Sequence, residues 1–347
     1  MTPSPIGNVS APLPARICAK LARSLPRSVG WRIRVAVQVS SSRRALLFGA
    51  LGALATGACV DDEPSYRSIR IATGSPTAVY YAVGTAYAKV IDQYLPNSHA
   101  SVVVTAASAE NVERVRSGNA QIGFSQADIL AAADGPPDDV AALARVYDDL
   151  LHLVVRVDSS ISKLEHLRGK RVSIGGKGSG TAVTVQRLLS AAKMAGPGVI
   201  TRRELNLDDS MAALRNRAID GFFFSGGLPV AGIEKLSQNL PIRIVGLADW
   251  AYELRRVYSD VYVVRDVPTS AYKVTASSTV AVPNLLVVST SMPDSLAFDL
   301  TRLLLDRRDL LAAAHPAAER LDLRSAISTL PVPLHPGAAR YYQSVKP

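Results

Sequence analysis

The chain has 347 residues and a formal charge of +10, from 39 Lys/Arg and 29 Asp/Glu. Residues 1–58 hold eight basic residues and no acidic one. The remainder, with 31 basic and 29 acidic residues, is formally +2 and gives no support to nucleic-acid binding. Cys18 lies in this leader, which leaves Cys59 as the one later cysteine, and the histidines are scattered. Neither a disulfide framework nor a metal site is indicated.

The first 58 residues are typical of an export signal. Ser42-Arg43-Arg44-Ala45-Leu46-Leu47 resembles a twin-arginine signal, and the uncharged run 45–58 is too short for a comfortable membrane span. Thr56-Gly57-Ala58-Cys59 resembles a bacterial lipobox, which predicts a lipid anchor on Cys59, a tether over 59–66 and an extracytoplasmic location, as a cell-surface or periplasmic lipoprotein. Plain cleavage with release, or a true membrane anchor helix, are the alternatives.

The next segment alternates short strands and helices. The patterns predict strands at 68–73, 101–105 and 121–125, with a helix over 78–95 and a second one that starts at Ser108. This β-α-β-α-β order predicts a parallel, open sheet.

The same order returns later in the chain. Strands are predicted at 171–174, 201–207, 219–224 and 242–245, with helices over 181–194 and 208–217. Residues 115–121 and 214–220 are locally similar, and each is followed by a strand that ends in Phe-Ser. The repetition indicates two similar α/β lobes.

Two apolar runs, 151–157 and 279–288, lie where such lobes would be joined, and a helix is predicted over 293–314. We therefore predict an α/β, two-lobed fold, in which each lobe is an open, mostly parallel sheet flanked by helices and the ligand cleft lies between the lobes. Lobe 1 comprises 67–152 and 285–347, and lobe 2 comprises 153–284.

A glycine-rich stretch, 172–181, follows the pattern strand, turn, helix start. Unpaired N–H groups at a helix N-terminus attract anions, and Ser179 and Thr181 add hydroxyl groups. We expect a binding site for a carboxylate or phosphate, although an ordinary turn between strand and helix has the same pattern. The stretch lacks the Gly-Lys-Ser/Thr ending of a Walker A loop.

Five segments in order resemble the TAXI-type solute receptors of tripartite ATP-independent periplasmic (TRAP) transporters. They are Ile71–Ser75 with Tyr80-Tyr81, Asn111–Asp128, Leu167–Thr181, Ile219–Pro229 and Leu334–Tyr342. The resemblance implies a type II periplasmic binding-protein fold that closes on a small organic acid or amino acid, such as glutamate or 2-oxoglutarate. It also implies delivery of this ligand to an integral membrane permease, without a cofactor.

The resemblance also implies a set of ligand-binding residues. They are Ser75, Tyr80, Tyr81, Ser108, Gln126, Ser179, Gly180, Thr181, Phe224, Gly226 and Gly227. Two departures concern this pocket: Pro76-Thr77-Ala78 replaces the family's glycines after the first Gly-Ser, and Ala106-Ala107-Ser108 stands where Gly-Gly-Ser is usual. Alanine lacks the positive-φ freedom of glycine, so an altered pocket is expected.

Two other functions were weighed. An enzyme is disfavoured because a Gly-x-Ser-x-Gly nucleophile elbow is missing. The adjacent pairs Asp148-Asp149 and Asp208-Asp209 point apart if helical, which makes them poor acid–base pairs. We therefore predict no catalytic residue. A receptor of the same fold that serves a sensor or another membrane partner remains the alternative.

Overall fold

The computed structural model describes residues 67–131 and 135–346. The predicted export signal, the tether and Cys59 lie outside these residues. The strands are β1 (Arg67–Ala72), β2 (Ser98–Val103), β3 (Ile122–Gln126), β4 (Val140–Arg156), β5 (Arg171–Ser173), β6 (Thr201–Arg203), β7 (Gly221–Gly226), β8 (Ile242–Val245), β9 (Val263–Val267) and β10 (Ser277–Ser289).

Helices follow most of these strands. They are α1 (Val79–Tyr94), α2 (Ser108–Arg116), α3 (Ala127–Leu130), α4 (Gly180–Ala191), α5 (Leu207–Arg215), α6 (Ala231–Asn239), α7 (Ala251–Val257), α8 (Thr269–Tyr272), α9 (Asp294–Asp306), α10 (Arg308–Ala314), α11 (Leu323–Ala326) and α12 (Pro336–Ser344). Of the helices in the described ranges, none combines the length and the apolar character needed to cross a membrane.

The strands form one sheet in the order β2-β1-β3-β10-β4-β7-β5-β6, with β8 paired to β4 and β9 paired to β10. The trio β2-β1-β3 is parallel, and so is the trio β7-β5-β6. We call the first trio with α1 and α2 the first half, and the second trio with α4 and α5 the second half. The α/β class and the two parallel segments agree with the sequence prediction.

The two halves are joined by β4 and β10, which are long and antiparallel to each other. β10 pairs with β3 of the first half, and β4 pairs with β7 of the second. The predicted apolar runs 151–157 and 279–288 fall on these strands. However, the run at 151 covers only the end of β4, because Arg145, Asp148 and Asp149 interrupt the apolar pattern of its earlier part.

Both faces of the sheet are buried, as strand periodicity shows. In β10, Leu286 packs in a cluster with α1 and α9, whereas the next residue, Val287, packs in a cluster with α2 and α4. In β7, Phe223 belongs to the cluster with α4, and Phe222 belongs to a third cluster with α5 and α6. Successive side chains of a strand point to opposite faces, so helices cover both.

Two predicted elements are wrong in extent. The strand predicted over 201–207 ends at Arg203, because the side chain of Asn206 caps α5 by accepting a hydrogen bond from the Asp209 N–H at 2.9 Å. The helix predicted over 293–314 is two helices, α9 and α10, separated at Arg307, whose backbone leaves the helical region. The other predicted elements occur with shifts of a few residues at their ends.

Candidate functional site

A cavity of about 580 Å³ lies between the two halves, at the carboxyl ends of the strands. This is where open α/β sheets place their ligands. The structure brings most of the predicted ligand-binding residues together in its wall. Those that line it are Ser75, Tyr80, Ser108, Gln126, Ser179, Gly180, Thr181, Phe224 and Gly226.

Tyr81 and Gly227 are the predicted residues that do not line the cavity. Tyr81 follows Tyr80 on α1, and successive helical residues point in different directions, so only Tyr80 faces inward. Gly227 is packed against the ring of Tyr147 and against Ala317, where a Cβ would lie 3.0 Å and 2.9 Å from the nearest atoms.

The N-terminus of α4 opens onto the cavity with free backbone donors. Ser179 is its N-cap, and its hydroxyl oxygen accepts from the Ala182 N–H at 3.1 Å. The first N–H groups of a helix have no intrahelical partner, which leaves those of Gly180 and Thr181 for a ligand. The Thr181 hydroxyl oxygen already accepts from the Ser225 N–H at 3.0 Å, so Thr181 also holds β7 against α4.

Gly180 is a point of close contact between the halves. A Cβ at this position would lie 2.0 Å from Oε1 of Gln126 and 2.9 Å from Oγ of Ser108. Gln126 ends β3 and Ser108 begins α2, so both belong to the first half, whereas Gly180 begins α4 in the second. Only glycine allows this approach.

Gln126 connects three parts of the site. Its side-chain Nε2 donates to Oδ2 of Asp149 at 3.0 Å and also to the hydroxyl of Ser225 on β7. Its backbone N–H donates to Oγ of Ser108 at 3.2 Å, and Ser108 is hydrogen-bonded to the Tyr80 hydroxyl at 3.1 Å. The Tyr80 hydroxyl in turn donates to the side-chain oxygen of Asn284 on β10. A continuous polar network therefore crosses the floor of the cavity.

Asp149 is a buried carboxyl group in this network. The residue is 4% exposed, and burial raises the pKa of its carboxyl group to about 7, an effect that the nearby amides of Asn284 and Gln126 oppose. Burial also raises the pKa of both Tyr80 and Tyr147 well above the ordinary value, so both phenols stay neutral at physiological pH. Near neutral pH, Asp149 is thus the titrating member of this group.

Four buried polar atoms of this region have no hydrogen-bond partner among the described residues. They are Oε1 of Gln126, Oη of Tyr147, Oδ1 of Asp149 and Nδ2 of Asn284. Leaving one such atom unpaired costs on the order of 1–3 kcal/mol. Three of these atoms, on Gln126, Tyr147 and Asp149, belong to residues that line the cavity, as in a site that completes its hydrogen bonds with a bound molecule.

The wall of the cavity also carries charged side chains. Asp149, Glu204, Asp208 and Asp209 line the cavity, and Lys177 is the one basic residue that does so within the described part of the chain. Sequence reasoning noted the two Asp-Asp pairs but treated them as helical. Asp148 and Asp149 instead lie on β4, where successive side chains face opposite sides, and only Asp149 faces the cavity. In the sequence, the signal for this placement is that Asp148 and Asp149 directly precede the apolar run 151–157.

The two halves also touch beside the cavity. Thr77, in the loop after β1, donates to Oδ2 of Asp208 on α5 at 3.2 Å. Asp128, at the start of α3, accepts hydrogen bonds from Thr184 of α4 at 2.6 Å and from Tyr262 at 3.0 Å. Burial raises the pKa of Asp128, and these bonds oppose the rise. In this structure the cavity is therefore bounded by direct contacts between the halves.

Ala107 has a backbone conformation that strongly favours glycine, with φ +79° and ψ −144°. It occupies the second position of Ala106-Ala107-Ser108, where the resemblance leads us to expect glycine. Hydrogen bonds hold this loop: the Ala107 N–H donates to the Thr105 hydroxyl at 2.9 Å, and the Ala106 N–H donates to Glu110 at 2.7 Å. The departure from the family pattern therefore appears in this structure as backbone strain.

We expect Ala107→Gly to stabilise the protein by about 1 kcal/mol. Relief of the strained conformation contributes about 1–3 kcal/mol, and the extra freedom of glycine in the unfolded chain offsets roughly 0.5–1 kcal/mol of it. Urea unfolding would measure the change. Ala106→Gly is the control, because Ala106 is outside the positive-φ residues, and it should not stabilise the protein. Equal or lower stability of Ala107→Gly would contradict the strain argument.

Among the described residues, no cluster of three or more His, Cys, Asp or Glu side chains is arranged to hold a metal ion.

Solved structures resemble the chain over most of its length. The aliphatic sulphonate binding protein SsuA from Escherichia coli has 15% sequence identity and a TM-score of 0.42, with coverage of 82% of this chain and 84% of that chain.

The ligand-binding core of GluR0 in complex with L-glutamate has 13% identity and a TM-score of 0.46, with coverage of 72% and 98%. The substrate binding protein of an amino acid ABC transporter has 15% identity and a TM-score of 0.44, with coverage of 73% and 100%. Residues 71–345 match the NMT1-like family, and because they make up most of the chain, this protein belongs to that family.

Proposed function

We propose that this protein is an extracytoplasmic solute-binding receptor that captures a small organic acid or amino acid in the cavity between its halves. The observation that carries the proposal is the set of unpaired buried polar atoms around a cavity of about 580 Å³ at the strand ends. The halves act as the two lobes predicted from the sequence, and β4 with β10 forms the hinge. The N–H groups of Gly180 and Thr181 receive the ligand's carboxylate.

We further propose that the receptor delivers this ligand to the membrane permease of a TRAP transporter, with Cys59 as its lipid anchor. The resemblance of five ordered sequence segments to TAXI-type receptors supports the transporter type. One structure reported above is the substrate binding protein of an amino acid ABC transporter. The transporter type is tested separately from ligand binding. Co-purification of the receptor with a TRAP-type permease from the native membrane would test this part.

A thermal-shift screen of the purified protein against amino acids and small mono- and dicarboxylates tests the receptor function. A ligand at about a hundred times its Kd adds about 2.7 kcal/mol to the free energy of unfolding. For a protein of this size, the midpoint of unfolding then rises by several degrees. Native mass spectrometry of the untreated protein shows whether a ligand is already bound. A protein that is empty by mass and is stabilised by no compound would contradict the proposal.

Thr181→Ala should weaken binding of the ligand found in this screen by about tenfold. The hydroxyl group can no longer donate to the ligand, and the Ser225 N–H loses the oxygen that accepts its hydrogen bond. Thr181→Ser keeps the hydroxyl group and is the matched control, with affinity close to that of the unaltered protein. Isothermal titration calorimetry would measure both. Equal affinities for the Ala and Ser variants would exclude the Thr181 hydroxyl group from the binding site.

A further inference from the structure

The charge of the cavity wall bears on the ligand's chemistry. Asp149, Glu204, Asp208 and Asp209 supply four carboxyl groups, whereas Lys177 is the one base in the wall within the described residues. A dicarboxylate would bring further negative charge into a space that already repels it. A bidentate arginine, the usual partner of a ligand carboxylate, is also missing from this described lining.

Asp149 offers a specific place for positive charge. Its Oδ2 accepts from Gln126, and the side-chain amide of Asn284 lies near enough to lower its pKa, but its Oδ1 makes no hydrogen bond of normal geometry within the described residues. The residue is 4% exposed and lines the cavity. Oη of Tyr147 is unpartnered in the same wall. An ammonium group has three donors and no acceptor, so it fits a carboxylate oxygen beside a phenol oxygen.

The Asp149 acceptor and the helix N-terminus are bridged by one side chain. Nε2 of Gln126 is 3.0 Å from Oδ2 of Asp149, and the other end of the same amide packs directly on Gly180. Donors for a carboxylate and an acceptor for an ammonium group therefore lie on either side of one glutamine amide. This is the arrangement that an α-amino acid zwitterion needs.

We propose that the ligand carries an ammonium group that binds Asp149, and that it has no net negative charge, as in a neutral or basic α-amino acid. This inference rests on the proposed receptor function and narrows its ligand class. Within that class it excludes 2-oxoglutarate and other deaminated acids, which have nothing to donate to Asp149, and it disfavours glutamate.

The first experiment compares matched pairs on the unaltered protein by calorimetry: alanine with lactate, leucine with its 2-oxo acid, and glutamate with 2-oxoglutarate, together with lysine. We expect a neutral or basic amino acid to bind at least about thirtyfold more tightly than its deaminated partner, the effect of a charge-assisted hydrogen bond. A deaminated acid that binds as well as its amine would overturn this inference and leave the receptor function standing. If the protein carries no ligand by native mass spectrometry and binds neither the amino acids nor the deaminated acids, the receptor function itself is overturned.

The second experiment uses Asp149→Asn, which keeps the shape and removes the charge. We expect about a thirtyfold loss of affinity for the amino acid. Asp148→Asn is the matched control, since Asp148 lies on the opposite side of β4, paired with Arg145 and Arg265, and it should change affinity little. Near-ultraviolet circular dichroism checks that both variants are folded. Unchanged affinity in folded Asp149→Asn would overturn the proposal, and the ligand pairs above test it even if this variant does not fold.

The pH dependence has a definite sign. The groups around Asp149 are Tyr80 from α1, Tyr147 and Asp148 from β4, and Asp128 from α3, with Lys177, Glu204, Asp208 and Asp209 in the wall. Asp149 must ionise to hold an ammonium group, and burial raises its pKa to about 7. Affinity should therefore fall about twentyfold from pH 7.5 to pH 5.5.

The opposite trend has a distinct meaning. If a carboxylate of the ligand were bound by protonated Asp149, affinity would rise as the pH falls through the same range. That result would overturn the proposal. The change of affinity with pH should disappear in Asp149→Asn but persist in Asp148→Asn. This comparison separates Asp149 from the other carboxyl groups of the wall.

Discussion

Gly180→Ala is expected to abolish ligand binding while the two halves remain folded. The added methyl group would lie 2.0 Å from Oε1 and 2.8 Å from Cδ of Gln126, and 2.9 Å from Oγ of Ser108. Gln126 cannot turn aside cheaply, because its amide is 1% exposed and donates to both Asp149 and Ser225. The methyl group would instead hold the halves apart.

The expected loss of affinity is at least about a hundredfold, or ~2.7 kcal/mol at 1.4 kcal/mol per factor of ten. Two effects lower the affinity. The carboxylate-binding N–H groups of α4 move away from the first half, and the arrangement in which the two halves touch becomes less populated. Small-angle X-ray scattering with the ligand added should show the compact form for the unaltered protein and a more extended form for the variant.

Gly176→Ala provides the control within the same loop. A Cβ at Gly176 would meet its nearest neighbour, the backbone of Asn206, at 3.8 Å, which is an ordinary contact, and the position does not require positive φ. We expect its affinity to stay within about threefold of the unaltered protein. If Gly180→Ala bound the ligand as well as Gly176→Ala does, the contact between Gly180 and Gln126 would not be part of the bound state.

The parts of this site that depend on local pattern could be predicted from the sequence. Ser179, Gly180 and Thr181 follow a strand and begin a helix, and that pattern alone fixes the direction of their N–H groups. Gln126 ends β3 and Ser225 is the last but one residue of β7, the corresponding strand suggested by the similarity of 115–121 to 214–220, and the structure joins them by a hydrogen bond.

Asp149 could not be placed in the same way. Its burial depends on β4 lying between β10 and β7, and its partners Gln126 and Asn284 come from strands distant in the chain. A carboxyl group in an apolar run can face solvent or the interior, and sequence periodicity does not decide between them. The charge of the cavity, which determines the proposed ligand class, was therefore the property that sequence reasoning missed.

The segment Leu334–Tyr342 shows that a family-like motif can serve packing and lie apart from the ligand. His335 is fully buried and caps α12, with its Nδ1 accepting from the Gly337 N–H at 3.2 Å. Tyr342 donates to the backbone oxygen of Leu143 on β4 at 3.0 Å. None of these residues lines the cavity. The motif therefore fixes the last helix against the first half.

Gly337→Ala is accordingly expected to destabilise the whole fold. A Cβ there would lie 2.1 Å from the backbone oxygen of Asp294 and 2.9 Å from Cβ of Ala297, both on α9. A backbone oxygen cannot rotate away as a side chain can, so α12 would have to shift as a unit. This shift would disturb the core in which Leu300 of α9 and Tyr341 of α12 pack.

We expect the free energy of unfolding to fall by about 3 kcal/mol, the upper range for overpacking a buried position. Gly196→Ala is the matched control, since its Cβ would be 3.5 Å from the nearest atom at an exposed site, and it should change stability by less than about 0.5 kcal/mol. Urea unfolding of both variants measures the difference. A loss for Gly337→Ala as small as that for Gly196→Ala would mean that α9 and α12 can separate without cost to the core, and that this motif does not hold the first half together.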